Sequence, residues 1–392
     1  MAFRKISERI YWVGSIDWDR RLFDELIPLP MGTTYNSYLI RGEKNVLIDT
    51  VDPSKASELF ENLKLLGIEK IDYIVCQHAE QDHSGSIPLV LERFPGSRVI
   101  TNEKCRDLLI EHIGIKGEDV VVVKDEEEFQ APDITLKFLL APWVHWPETM
   151  LTYFPEEKTL FTCDMFGSHL ASHILYSDED ERFRLALKRY FAEIMLPFRA
   201  NIRKHLDRIS AYKVDKILPG HGLVHRKPEI AISYYREWSS DDLKPLVIIP
   251  YVSMHDSTEG MVRFLESELN RRGIGVVPIN LAESDIGEFA MYLLEASTVI
   301  FGAPTVLAGP HPIVAYAAMI LNALRPATRF VGFIGSYGWG GKTEEILKSL
   351  ISNLRYTDAG TVFIKGVLKE EGRARLSSLA DKILELNNLK KE

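Results

Sequence analysis

Apolar and polar positions alternate along this chain in two different rhythms. Up to Pro245, short strand-like runs dominate: Ile10 to Gly14, Tyr35 to Ile40, Val46 to Asp49, Ile71 to Cys76, Val99 to Thr101, Val120 to Val123, Ile134 to Leu140, Thr159 to Thr162 and Lys216 to Leu218. Helical spacing falls between them at Ala56 to Leu66, Ile87 to Arg93, Glu181 to Leu196 and Ile202 to Ala211. Apolar runs bounded by turn residues predict buried strands, so the first part is expected to be a sheet-on-sheet core flanked by helices. Beyond Pro245 strand and helix alternate strictly. Leu246 to Ile249, Gly275 to Ile279, Thr298 to Phe301, Phe330 to Ile334 and Val362 to Ile364 predict five strands separated by helices, the pattern of a doubly wound parallel sheet. The polar stretch from Ser239 to Lys244 divides the rhythms, giving expected domains of 1–244 and 245–392. Asp125 to Glu128 predicts a solvated charged turn, and Gly372 to Glu392 an amphipathic closing helix with a charged end.

Composition changes this picture mainly by exclusion. A chain of 392 residues exceeds one typical core. Its formal charge of −9 argues against nucleic acid or an anionic membrane as the main partner. Met1 to Arg9 lacks an apolar signal core, and no segment is apolar for long enough to span a bilayer. Cys76, Cys105 and Cys163 are scattered with no CxxC pair, which favours a reducing compartment and argues against a fused rubredoxin-type iron site or a cysteine zinc ribbon. The expected location is the cytoplasm.

The chemistry concentrates in Gln77-His78-Ala79-Glu80-Gln81-Asp82-His83-Ser84-Gly85, which packs His78, Glu80, Asp82 and His83 together at the end of an expected buried strand. Strand-like alternation would point His78, Glu80 and Asp82 one way and His83 another, so one cluster would serve two neighbouring metal ions. His145, Asp164 and His221 each follow a predicted strand, where polar side chains reach the mouth of a sheet. Any one of them alone reads as an ordinary loop residue; all three after the first cluster read as a ligand set, with carboxylates to offset metal charge and Asp164 suited to bridge. His169 and His173 are expected in outer or surface positions, His225 in solvent beside Arg226 and Lys227, and Cys163 as a packed thiol.

Loops at the carboxyl ends of the first, third and fourth strands of the second part carry a different signature. The first contains Ser253, Met254, His255, Asp256, Ser257 and Thr258, and opens a helix whose N-terminus suits a phosphate. The third-strand loop contains Pro304, Thr305, Val306, Leu307, Ala308 and Gly309, and the fourth Ser336, Tyr337, Gly338, Trp339 and Gly340. Glycines and hydroxyls in any single loop only shape a turn. Three such loops at these strand ends point to a nucleotide cofactor, with Tyr337 or Trp339 placed to stack on a ring and His311 shaping the rim.

Together these residues resemble the metallo-β-lactamase superfamily and, within it, the flavodiiron proteins. The pattern H-x-E-x-D-H followed by H, D and H is present as His78, Glu80, Asp82, His83, His145, Asp164 and His221, and Thr34 to Leu39 and His145 to Met150 look like that family as well. The resemblance implies an αββα sandwich followed by a flavodoxin-like sheet of five parallel strands. It implies that His78, Glu80 and His145 hold one iron, Asp82, His83 and His221 a second, with Asp164 bridging, and that the three loops bind FMN. A carboxylate at Glu80, where similar zinc hydrolases carry histidine, favours iron or manganese. The implied activity is reduction of dioxygen to water or of nitric oxide to nitrous oxide, with electrons from an external donor such as rubredoxin or a reduced deazaflavin. Relatives work as head-to-tail homodimers, or tetramers built from them, and Trp143 and Trp146 are candidates for the intervening contact. His255 and Asp256 stand where many relatives carry an aromatic residue and glycine. The rival expectation is a dinuclear hydrolase of metallo-β-lactamase type with an appended flavodoxin domain.

Overall fold

The computed structural model describes residues 3–388, which form two compact units, one up to Glu237 and one from Trp238 onward. In the first unit, seven strands run in the order Arg4–Lys5, Ile10–Trp12, Tyr38–Ile40, Val46–Ile48, Tyr73–Val75, Arg98–Thr101 and Val120–Val122. A second sheet runs Glu128–Ala131, Ile134–Leu140, Met150–Phe154, Thr159–Cys163 and Lys216–Pro219. The strands explain the two cores by simple alternation. Tyr38, Ile40, Val46 and Ile48 face Phe138, Met150, Phe154 and Phe161 of the second sheet. Their neighbours Leu39 and Leu47 turn the other way, onto Leu59, Leu63, Ile87, Val90 and Leu109. Those five lie on the helices Ala56–Leu65, Ile87–Arg93 and Glu103–Ile113. Burial on both faces is why these strands read as unbroken apolar runs.

The second unit is a single parallel sheet in the order Gly275–Asn280, Lys244–Tyr251, Ala296–Gly302, Phe330–Tyr337 and Thr357–Lys365. The order reverses between the first and third of these strands in chain sequence, the arrangement of flavodoxin-like sheets. Met261, Val262 and Leu265 of helix Ser257–Arg271, with Leu376, Leu379 and Ile383 of helix Glu370–Asn388, close one face over Val247 and Ile249. The last four residues of the expected closing helix, and Met1 and Ala2 of the N-terminal stretch, lie outside the described residues.

Several elements differ from expectation. The expected helix Glu181 to Leu196 is an α-helix, Phe183–Tyr190, that passes into a π-turn, Phe191–Met195. Asp125 to Glu128 is the exposed charged turn expected, except that Glu128 already opens a strand and Arg208 pairs with Asp125 and Glu126. Strand Met150–Phe154 and helices Glu103–Ile113 and Pro228–Ser239 carried no distinct signal. Among the described residues no helix is long and apolar enough to cross a membrane.

Candidate metal centre

The candidate ligands meet because four strands end at one rim. After Tyr73–Val75, the Gln77 N–H donates to Asp49 Oδ1 at 2.8 Å, which fixes the chain where His78 leaves the sheet. The next residues do not continue as a strand. Gln81–Ser84 forms a helical turn with Glu80 as its N-cap, and the His83 and Ser84 N–H groups donate to the Glu80 carbonyl. The turn sends Asp82 away from Glu80, correcting the alternation that placed them together. His78, Glu80, His145 and Asp164 form one group, and Asp82, His83 and His221 a second, with donor atoms in each within 4.8 Å of one another.

Asp164 faces both groups. Its Oδ2 lies 3.5 Å from both His78 Nε2 and His145 Nε2, while Oδ1 lies 3.1 Å from His83 Nε2 and 3.4 Å from His221 Nε2. Glu80 Oε2 sits 3.0 Å from His78 Nε2 and 3.1 Å from His145 Nε2, and Asp82 Oδ2 lies 3.1 Å from His221 Nε2. Neighbouring donors on one ion with bonds of about 2.1 Å lie roughly 3 Å apart, so these spacings suit a coordination shell. The fit to metal rests on Asp82 as well: both carboxylate oxygens are buried, and the nearest group, His221 Nε2 at 3.1 Å from Oδ2, is not aligned to donate to them. A buried anion without donors is costly unless a cation satisfies it.

The electrostatics point the same way. Burial alone would lower the pKa of these imidazoles, yet the surrounding carboxylates overcome it, raising His145 to about 9 and His221 to about 10. Asp164 is held well below the usual carboxylate range despite burial, by His83 and by hydrogen bonds from His145 and His221. The mixed histidine and carboxylate donor set is harder than the histidine- and thiolate-rich sets of zinc sites, and suits iron or manganese.

Two groups at this centre carried no role in the sequence reading. Tyr190 donates its hydroxyl to Asp164 Oδ1 at 2.8 Å from the last turn before the π-helix, and burial pushes its pKa well above the ordinary phenol value. Glu148 lies behind His78, its Oε1 2.7 Å from His78 Nδ1. Their sequence separations from these partners hide both. Phe23, Tyr35, Trp146, Arg20, Asp24, Asp52 and His112 line a cavity of about 420 Å³ that opens onto Glu80 and Asp82. His169 is buried beside the centre with Nδ1 2.8 Å from Thr33 Oγ1, whereas His173 is exposed against Trp18. Cys163 is a fully buried thiol, and exposed Trp143 stacks on Phe198.

His225 corrects an expectation: it is fully buried, not solvated, and its Nε2 donates to the Phe166 carbonyl at 2.9 Å. Burial lowers its pKa to about 4 against a raising contribution from that hydrogen bond. The folded-state value thus lies below that of unfolded histidine, near 6.5. His225 therefore contributes stability that is complete above about pH 6.5 and is lost as pH falls through about 4, up to roughly 3 kcal/mol. Unfolding free energies of the wild type and His225→Gln between pH 7 and 4.5 test this. The wild type should lose stability more steeply, and parallel profiles would refute the assignment.

In the second unit, Met254, His255, Ser257, Thr258, Pro304, Thr305, Ser336, Tyr337 and Gly338 line a cleft of about 220 Å³. The cleft therefore gathers residues from all three loops. Ser253 Oγ accepts from the Glu259 N–H, and the Thr258 and Ser336 hydroxyls lie 3.2 Å apart. No lysine or arginine lines this cleft among the described residues, so a phosphate there would rely on hydroxyls and on the N-terminus of helix Ser257–Arg271. Asp256, at φ +60°, precedes that helix and its side chain caps nothing. Gly340 lines an adjoining cavity that contains Lys342 and Thr343. Val306 and Gly309 pair across a short hairpin whose turn, Leu307 and Ala308, has positive φ at both positions. Leu307 and Trp339 stand out at 91% and 78% exposed, leaving apolar surface for a flat ring. His311 ties this loop down: its N–H donates to the Pro304 carbonyl, and its Nδ1 caps helix Pro312–Leu324.

Residues 33–222 match the family described as ODP family beta lactamase. The chain is 34% identical to the nitric oxide reductase of Moorella thermoacetica, with 88% of each protein covered. It is 31% identical to the rubredoxin-oxygen oxidoreductase of Megalodesulfovibrio gigas, with 98% of each covered. The crystal structure of the flavodiiron protein from Giardia intestinalis superposes with a TM-score of 0.89 at 28% identity, covering 99% of this chain and 98% of that one.

Proposed function

The chain belongs to the flavodiiron protein family, and on that footing we propose that it reduces dioxygen to water, nitric oxide to nitrous oxide, or both, at a two-iron centre fed with electrons through FMN. The observation that carries this reading is Asp164, with one carboxylate oxygen toward each of two donor groups. His78, Glu80 and His145 would hold one iron, Asp82, His83 and His221 the other, and Asp164 would bridge. The FMN phosphate would lie at Ser257 and Thr258 on the helix N-terminus, with its ring between the loops of Pro304 to Gly309 and Ser336 to Gly340. When bound, the flavin takes up electrons singly or in pairs and the iron pair passes them to a small oxidant.

The chain's own groups shape what reaches that centre. Tyr190, kept protonated by its burial, holds a proton at Asp164 Oδ1. Phe23, Tyr35 and Trp146 form apolar wall, while Arg20, Asp24, Asp52 and His112 keep the cavity polar enough to admit the protons that both reductions consume. Glu80 and His145 retain 12% and 15% side-chain exposure, more than the other candidate ligands, so substrate approach falls on their side. By likeness to the relatives named rubredoxin-oxygen oxidoreductase and coenzyme F420H(2) oxidase, its electrons would come from an external donor, rubredoxin or a reduced deazaflavin. We place the protein in the cytoplasm as a head-to-tail homodimer or a tetramer of such dimers.

Anaerobic stopped-flow tests the reading. The fully reduced, iron-loaded protein is mixed separately with dioxygen and with nitric oxide while flavin reoxidation is followed. Rapid, repeatable oxidation by either substrate is expected, and the faster one names the physiological oxidant. Failure with both, or purification with zinc in place of iron, would overturn the proposal.

A further inference from the structure

The two metal positions differ one step behind their donors. At the first position, His78 turns Nε2 toward Glu80 and Asp164, and its Nδ1 meets Glu148 Oε1 at 2.7 Å. Both side chains are fully enclosed. The same Glu148 oxygen accepts the Ala79 N–H at 3.1 Å, and Glu148 Oε2 is buried with no hydrogen-bond partner. Among the described residues, His78 is the one ion-pair partner of this carboxylate. Its backbone is held as well: Asn102 Nδ2 donates to the Glu148 carbonyl at 2.6 Å, while Asn102 Oδ1 caps helix Glu103–Ile113.

Among the described residues, no carboxylate is hydrogen-bonded behind a histidine of the second position. His221 Nδ1 lies 2.6 Å from the Thr34 carbonyl, a neutral acceptor. Asp49 comes near His83 and its charge acts on that ring, but its two oxygens accept from the Gln77 backbone and side chain, and among the described residues no ion pair joins it to the ring. A carbonyl orients an imidazole. A carboxylate orients it and also strengthens it as a donor, most of all where water is excluded.

We infer that Glu148 is a positioning residue that makes the two positions unequal, its carboxylate fixing His78 Nε2 toward the first position so that an ion is held more tightly there than at the second. The inference rests on the two-iron reading above. Its consequence is an order of loss and gain: the second position empties first and fills last.

Iron release to a chelator from the full-length, flavin-loaded protein tests it in the wild type, Glu148→Gln and Glu148→Asp. Glutamine keeps the shape and an oxygen that can accept from His78 but removes the charge. Two phases are expected in the wild type, and iron-edge anomalous scattering from partly stripped crystals should locate the retained ion at His78. In Glu148→Gln the slow phase should quicken by roughly 10–100-fold, the usual cost of losing such a partner, with the fast phase unchanged. Glu148→Asp should recover most of the difference, and flavin content should stay at the wild-type level in all three. An unchanged slow phase in Glu148→Gln, equal acceleration of both phases, or retention of the ion at His221 would overturn the inference. Failure of the two-iron reading would show earlier and separately, as a wild type that carries one iron or none before chelation.

Discussion

Glu80→Ala should strip iron from the first position, lower turnover with dioxygen or nitric oxide by more than about 100-fold, and leave the flavin in place. The magnitude follows from what Glu80 touches. Its Oε2 stands about equally close to His78 Nε2 and His145 Nε2, at 3.0 and 3.1 Å, so its loss removes the anion that joins two imidazoles into one site. Loss of a group behind a ligand already costs roughly 10–100-fold, and loss of a ligand should cost more. Flavin should persist because the cleft proposed for it lies wholly within the second unit. Iron and FMN content per chain, measured beside stopped-flow turnover, check each part of the expectation. Full turnover in this variant would end the two-iron assignment.

Gly220→Ala should act on the other position. A Cβ at Gly220 would come within 2.5 Å of His83 Cε1 and 3.1 Å of Nδ1, closer than packed atoms approach. The His83 ring cannot swing away freely, since it is buried with Nε2 facing Asp164. Overpacking of this kind costs about 1–3 kcal/mol, and here the displaced group is a candidate ligand. Metal analysis should find iron depleted while anomalous scattering still locates an ion at His78, and the unfolding midpoint should fall. Retention of both ions with unchanged stability would mean that the loop relaxes and that glycine is not required there.

The sequence made the seven candidate ligands legible because each follows an apolar run that had to be a buried strand, and a polar residue at such a strand end has few places to go. The second unit was legible for a similar reason, as strict strand and helix alternation leaves few topologies, and its three loops follow from strand order. Helix Glu103–Ile113 escaped because Cys105 and Leu109 alone are buried in it, too few to set a helical period. His225 was misjudged because its charged neighbours in sequence, Arg226 and Lys227, pair outward with Asp178 while its own ring turns inward.

What the sequence determined by itself is local: which residue types stand at which strand ends, and hence which chemistry the chain carries. What only the tertiary structure decided is pairing. Strand alternation alone would leave Asp82 beside Glu80; a single helical turn, Gln81–Ser84, carries it to His221, the grouping that the family resemblance implied and local pattern did not. Glu148 and Tyr190 reach His78 and Asp164 from 70 and 26 residues away. No periodicity encodes such contacts, because they arise where separate strands and helices pack and bring distant side chains into a buried space.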